Sequence, residues 1–186
     1  IIWESELPKW NIYSKVACHN GNELIAVPAS DNTILLYRNG KMDDVLYGHS
    51  GGVVDLSFNC DGSRLASVTR YDGKLIIWDI ANNMQEEVLE VPSSLGNPVN
   101  GVAFSKDGKY LLLFAEKEAR VYETSGWTYS SLKVKSEAIQ VAAISPIGTR
   151  TIICKDNQEV VIWDFADERS LMTVRWQKIM TGAAFS

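Results

Sequence analysis

The sequence predicts an all-β protein built from repeated four-stranded antiparallel meanders, and three observations carry that expectation. The first is alternation. In the stretch Gly48–Asp79, GHSGGVVDLSFNCDGSRLASVTRYDGKLIIWD, the residues Val54, Leu56 and Phe58 alternate with Asp55, Ser57 and Asn59. That period of two puts one face of a strand in a core. The second is a repeat. Tyr37, Trp78, Tyr122 and Trp163 each close an apolar run and lie 41, 44 and 41 residues apart. A second ruler, Phe58, Phe104, Ile144 and Phe185, is spaced by 46, 40 and 41. The third is the turn chemistry between runs: Asp61-Gly62, Asp72-Gly73 and Asp107-Gly108 supply the positive φ that tight hairpins need. A period of about 40–45 residues built from strands reads as propeller blades.

Each element follows in order. Ile1–Glu4 (IIWE) copies Ile76–Asp79 and reads as the end of a third strand, followed by a Pro8-containing connector, Ser5–Asn11. Ile12–His19 and Glu23–Pro28 are expected strands around an Asn20-Gly21 hairpin, with Pro28 ending the second because proline offers the ladder no donor. Asp31-Asn32 turns the chain into Thr33–Arg38, and Asn39-Gly40 turns it again into an outer strand, Asp44–Tyr47. Next come strands starting at Val54, then Arg64–Thr69, Lys74–Ile80 and the charged outer strand Glu86–Val91. Pro92–Asn97 is the longest break in the period. Val99–Ser105, Tyr110–Ala115, Glu118–Glu123 and Trp127–Val134 form another unit. Ile139–Ser145, Thr151–Cys154, Val160–Asp164 and Arg169–Arg175 form the next, with Pro146-Ile147-Gly148 replacing the usual Asp-Gly turn. Met180–Ser186 repeats the start of a first strand.

No linker interrupts the pattern, so residues 1–186 read as one domain. At about 41 residues per unit it holds about 4–5 blades, and with both ends falling inside a blade it is expected to be part of a larger, seven-bladed ring. The net charge of −5 and pI of about 5.1 argue against a broad phosphate-binding face. Cys18, Cys60 and Cys154 are few and far apart, which suits free, mostly buried thiols in a reducing compartment. No apolar run of about 18 residues marks a membrane span.

The blade from Gly48-His49 to Trp78-Asp79 resembles the WD40-repeat β-propeller family, and the other repeats resemble it in degenerate form. The resemblance implies a buried hydrogen-bond network of His49, Ser67 or Thr69, Asp72 and Trp78, with Arg70-Tyr71 lengthening the turn and leaving the hydroxyl undecided. The same residue types make hydrolase triads, but a triad is defined by geometry and roles. No catalytic residue, cofactor or metal site is expected: the two histidines are far apart, no cysteine cluster exists and there is no phosphate-binding loop. His19 reads as a surface or strand residue, and Glu86-Glu87 and Asp43-Asp44 as solvated edge charges. Trp78, Trp163, Tyr37 and Tyr122 are core residues by register, Trp127 and Trp176 lie at outer strands as edge packing or partner anchors, and Trp10 lies in the connector.

The resemblance also implies function. The rim made by second turns and first-strand entrances receives peptides or other domains in this family. That rim holds Arg70, Tyr71, Glu116, Lys117, Lys155, Asn157 and Ser50. The expected role is a non-enzymatic scaffold or adaptor for protein–protein contacts, with a reader of modified peptide or nucleic acid as the alternative. Within the family, Gly48–Ser131 resembles the aladin subfamily of nucleoporins through NPVNGVAFSKDG and VYETSGWT. That would imply a nuclear-envelope scaffold; otherwise the expected compartment is cytoplasmic. The Trp127 placement also resembles histone-chaperone propellers, and LIAVP with LLYR resembles replisome-adaptor propellers.

Overall fold

In a computed structural model of the chain, residues 14–19, 21, 23–95, 98–133, 138–175, 183 and 185 are described. Sixteen strands follow one another through four meanders among these residues. The first blade holds β1 (Ala17–His19), β2 (Leu24–Pro28), β3 (Ile34–Arg38) and β4 (Lys41–Leu46). The second holds β5 (Val53–Phe58), β6 (Arg64–Thr69), β7 (Lys74–Asp79) and β8 (Met84–Glu90). The third holds β9 (Val99–Phe104), β10 (Tyr110–Ala115), β11 (Glu118–Glu123) and β12 (Tyr129–Lys133). The fourth holds β13 (Ile139–Ile144), β14 (Arg150–Lys155), β15 (Glu159–Asp164) and β16 (Arg169–Arg175). Each sheet has its four strands in sequence order and antiparallel, so every connection is a hairpin.

No sheet can bury both apolar faces alone, so each packs on the next. Ala26, Leu36, Ile76 and Trp78 make the core between the first two blades. Val68, Leu75, Leu111 and Tyr122 make the core between the second and third. Phe114, Val121, Ile153 and Phe165 make the one between the third and fourth. This radial repetition of meanders is a propeller arrangement, with the first strand of each blade innermost.

The repeat extends to register. In three blades the outer strand carries one extra residue opposite the closing aromatic: between Leu36 and Tyr37, Ile77 and Trp78, and Ile162 and Trp163. The residues skipped are Asp43, Glu86 and Leu171. Two of them are acidic and bind an arginine: Asp43 accepts from Arg38 at 2.9 Å, and Glu86 accepts from Nε and Nη2 of Arg64. A bulge bends an edge strand away from further pairing.

Several expectations need correction. The outer strand of the first blade begins at Lys41, not Asp44. Asn39 and Gly40 have φ of 51° and 71°, a two-residue turn that pairs Lys41 with Arg38 at once. Asp44 is bound rather than solvated: its Oδ2 accepts from Asn83 Nδ2 of the second blade at 2.6 Å. The outer strand of the third blade begins at Tyr129. Trp127 has a φ of 56°, donates its N–H to the Glu123 carbonyl at 2.8 Å and packs against the core between blades two and three. The cysteines are all free, but Cys18 and Cys60 are exposed and only Cys154 is buried. The expected segments at Ile1–Glu4 and Ser5–Asn11, Met180–Ser186 apart from Ala183 and Phe185, the Asn20 hairpin position, Trp10 and Trp176 lie outside the described residues.

The alternation in β5 has a different outcome from a one-sided core. Val54 and Leu56 are buried, but so is Asp55, at 4% exposure. The innermost strand of a blade has one unpaired edge, and its amides need acceptors. Asp55 Oδ2 accepts the Val102 N–H at 3.1 Å and Ser57 Oγ accepts the Phe104 N–H at 3.0 Å, both from β9 of the next blade. Lys15 Nζ reaches Asp55 Oδ2 at 2.9 Å from outside. Burial raises the Asp55 carboxyl above its ordinary pKa, with the Lys15 charge and the Val102 N–H opposing it. Asp55→Ala therefore leaves a buried N–H unpaired and is expected to cost about 1–3 kcal/mol. Asp55→Asn keeps an acceptor and should cost less. Thermal unfolding of the two variants checks this, and equal losses would rule out the amide-capping role.

Candidate functional site

The second blade places a chain of hydrogen bonds at the end of β6 and β7. Trp78 is the largest fully buried side chain, set on β7 directly opposite Leu65 of β6. Ser67 stands two residues further along β6, on the same face. Its Oγ lies 2.7 Å from Trp78 Nε1 and 2.8 Å from His49 Nε2. His49 Nδ1 lies 2.6 Å from Asp72 Oδ2. The chemistry of the groups fixes the two end bonds, and a neutral ring fixes the middle one. The indole only donates and the carboxylate only accepts. So Nδ1–H donates to Asp72, Nε2 accepts from the Ser67 hydroxyl, and Ser67 Oγ accepts from Trp78. The imidazole is neutral in this arrangement.

The electrostatics agree with a neutral ring. Burial holds the His49 pKa below its ordinary value, against the opposing pull of Asp72. For Asp72, burial would raise the pKa, but hydrogen bonds from Thr69 and His49 bring it below the usual carboxylate value. Thr69 stands at the Asp72 end of the chain, and it is Ser67 that Trp78 and His49 bond. Thr69 Oγ1 accepts the Asp72 N–H at 3.0 Å and so shapes the turn. Asp72 completes that turn by accepting the Lys74 N–H at 2.9 Å. The β6–β7 turn holds four residues, Arg70–Gly73, between strand ends, against five (29–33) between β2 and β3, two (Glu116 and Lys117) between β10 and β11 and three between β14 and β15.

Register shows why the other blades lack this chain. The residues opposite their closing aromatics are Ile25, Leu111 and Thr151. Two positions on, where Ser67 stands, they carry Val27, Leu113 and Ile153. In the fourth blade Trp163 keeps its indole without an acceptor, and among the described residues its buried Nε1–H has no partner.

The remaining predicted positions share one rim. Arg70 is exposed, and Tyr71 is 73% exposed. Lys117 and Asn157 are exposed, and Glu116 and Lys155 are half-buried. Lys155 Nζ lies 3.2 Å from Glu159 Oε2, and Asn157 Oδ1 accepts the Glu159 N–H at 3.0 Å. Backbone bonds leave these turns: Ile139 N–H donates to Glu116 O between the third and fourth blades, Lys117 N–H to Leu95 O of the loop between β8 and β9, and Asp156 N–H to Ala138 O at the entrance to β13, at 2.8–3.0 Å. Below the rim an open cavity of about 770 Å³ is lined by Lys15, Arg70, Asn100, Glu116, Gln140 and Asp156, among others. Its charges are mixed in sign, basic from the side of the first two blades and acidic from the third and fourth. Among the described residues no group of three or more His, Cys, Asp or Glu could hold a metal ion. Nor, among those same described residues, is any helix long and apolar enough to cross a membrane.

Two features were not foreseen from sequence. One is the buried pair Glu118–Arg120, with Arg120 Nε 2.7 Å from Glu118 Oε1 and its guanidinium 4.3 Å from the centre of the Tyr129 ring. The alternation of Glu118, Arg120 and Tyr122 along β11 was the available signal. The other is the use of Asp55 and Ser57 as caps for the edge amides of β9.

Comparison with known proteins agrees with this architecture. A family model described as WD domain, G-beta repeat, matches residues 40–79, that is, β4 to β7. The chain is similar to the 77 kDa echinoderm microtubule-associated protein of Lytechinus variegatus, 28% identical over 137 residues, covering 73% of this chain and 19% of that protein. It is similar to the periodic tryptophan protein 2 homolog of Schizosaccharomyces pombe, 35% identical over 101 residues, covering 52% of this chain and 11% of that protein. The WD repeat-containing protein 75 of Xenopus laevis is 27% identical over 121 residues, with 62% and 14% covered. The chain thus spans 19% or less of the length of these relatives. The crystal structure of the Myceliophteria thermophila Cps50 (Swd1) β-propeller domain superposes with a TM-score of 0.77 at 13% identity, covering 93% of this chain and 57% of that one. The repeat model and the relatives support a place among WD40-repeat proteins, and the superposition shows the propeller fold. The resemblance to aladin gains no support from them.

Proposed function

We propose that the chain is a sector of a larger propeller domain that serves as a non-enzymatic scaffold, docking other proteins on the rim that carries Arg70 and Tyr71. The observation that carries this reading is the β6–β7 turn. It is longer than the corresponding turns of the third and fourth blades, exposes a tyrosine at 73%, and is held from beneath by Asp72, which binds His49, the Lys74 amide and, at 3.3 Å, the Ser50 amide. A rigid base under an exposed aromatic–arginine pair suits a binding hot spot, since little conformational freedom is lost on docking. Glu116, Lys117, Lys155 and Asn157 surround it as the polar rim of the same surface. The mixed signs around the cavity and the net charge of −5 favour protein over nucleic acid as the partner.

Affinity mass spectrometry on the intact protein tests the reading. The Arg70→Ala/Tyr71→Ala double variant should lose at least one partner kept by the wild type while retaining its thermal midpoint. Retention of every partner would overturn it. The finer assignment, a nuclear-envelope assembly, rests on the residues shared with aladin in Gly48–Ser131. Proximity labelling that returned no nuclear-pore protein would dismiss that assignment and leave the scaffold reading standing.

A further inference from the structure

On the opposite rim, between the third and fourth blades, lies a cavity of about 210 Å³. Drug-sized and cofactor pockets run to about 300–1,000 Å³, so this one has room for a single side chain rather than a cofactor. Its walls include Tyr110, Glu123, Thr128, Tyr129, Thr149 and Phe165, and none of its lining residues is basic. The place is built by the ends of elements. Glu123 closes β11, Tyr129 opens β12, and Thr149 follows the Ile147-Gly148 turn.

The chemistry of the walls is selective. The Glu123 side chain is exposed and has no hydrogen bond or ion pair among the described residues, while its backbone groups hold the Thr128 and Trp127 turn. Tyr129 already takes one guanidinium, that of Arg120, 4.3 Å from its ring centre, and remains 50% exposed. An unpaired carboxylate beside aromatic rings and hydroxyls is complementary to a cation on an apolar stem, by charge pairing and by cation–π attraction. It is a poor site for an anion, and a purely apolar side chain would make no use of the carboxylate and hydroxyls.

We infer that this cavity receives one arginine or lysine side chain from a partner protein, with Glu123 as the counter-charge and Tyr129 as the aromatic wall. The inference goes beyond the scaffold reading by naming the chemistry of a contact on the other rim. It stands or falls separately from Arg70 and Tyr71, because the two sites share no residue.

Ligand-observed saturation-transfer NMR on the intact protein tests it, with N-acetyl-L-arginine methylamide as the probe and the citrulline and leucine counterparts as neutral and apolar controls. The arginine probe should give a saturable signal, weakened about fivefold in Glu123→Gln, the size of one partly exposed charge-assisted contact. The citrulline and leucine probes should give little. Thr128→Trp, which fills the cavity from its exposed mouth without altering Glu123, should abolish the signal. An arginine signal unchanged in either variant, or equal signals from the controls, would overturn the inference. Since the Glu123 and Thr128 side chains are exposed, both variants should keep the wild-type thermal midpoint, which is measured alongside.

Discussion

Ser67→Ala is expected to destabilise the protein by about 1–3 kcal/mol for each group it leaves unpaired, and it leaves two. The Trp78 indole loses its acceptor at 2.7 Å, and His49 Nε2 loses its donor at 2.8 Å. Ser67 is fully buried, so water cannot replace the hydroxyl without a new cavity. In a domain of 150–250 residues each kcal/mol lowers the thermal midpoint by roughly 2–4 °C. The third blade shows what a repaired version looks like, because Leu113 holds the Ser67 position and Tyr122 the Trp78 position. Replacing both partners of Ser67 as well, in a Ser67→Leu/His49→Leu/Trp78→Tyr variant, should therefore recover part of the loss. If Ser67→Ala left the midpoint of the intact protein unchanged, the hydrogen-bond chain would carry no stability.

The same chain sets an acid limit. The His49 pKa is lowered by burial in the fold, so the unfolded state binds the proton more readily. Stability contributed by the neutral ring is present above the ordinary histidine value of about 6.5 and is lost as pH falls below it. Asp72, also lowered, adds a loss as pH falls below the ordinary aspartate value of about 3.9. The wild type should thus lose stability between about pH 7 and 5 more steeply than a His49→Gln variant.

Gly148→Ala carries the other large effect. Gly148 has a φ of 73°, and a Cβ there would lie 2.0 Å from Cδ2 and 2.6 Å from Cβ of Tyr110. The positive φ costs a non-glycine residue about 1–2 kcal/mol. The overlap costs about 1–3 kcal/mol more, because the clash reaches the base of the Tyr110 side chain and cannot be relieved by moving its tip. Gly40→Ala shares the φ, 71°, with nothing within 4 Å of the added carbon, and isolates the backbone part. Similar thermal midpoints for the two variants would show that the third and fourth blades do not pack through this contact. Since Tyr110 also lines the cavity beside Glu123, Gly148→Ala should in addition weaken the arginine probe.

By itself the sequence determined the strands and their count per repeat, because alternation, Asp-Gly turns and a closing aromatic are local properties of the chain. β6, β10, β11 and β16 run between the residues anticipated for them. It also narrowed the hydrogen-bonding set in the second blade to His49, Asp72, Trp78 and one of two hydroxyls. Only the tertiary structure decided which hydroxyl. Ser67 and Thr69 are two residues apart on one strand face, and the choice depends on the register of β6 against β7 and on where the loop returns His49. Asp55 shows the same limit: an aspartate alternating with valine and leucine reads as solvent-facing until a second blade lays an unpaired amide edge across it. The cavity beside Glu123 is likewise made by two blades, from residues up to 56 positions apart in the chain, Tyr110 and Ala166 being the extremes. Contacts between blades depend on the angle and height at which one sheet meets the next, and no short window of sequence encodes either.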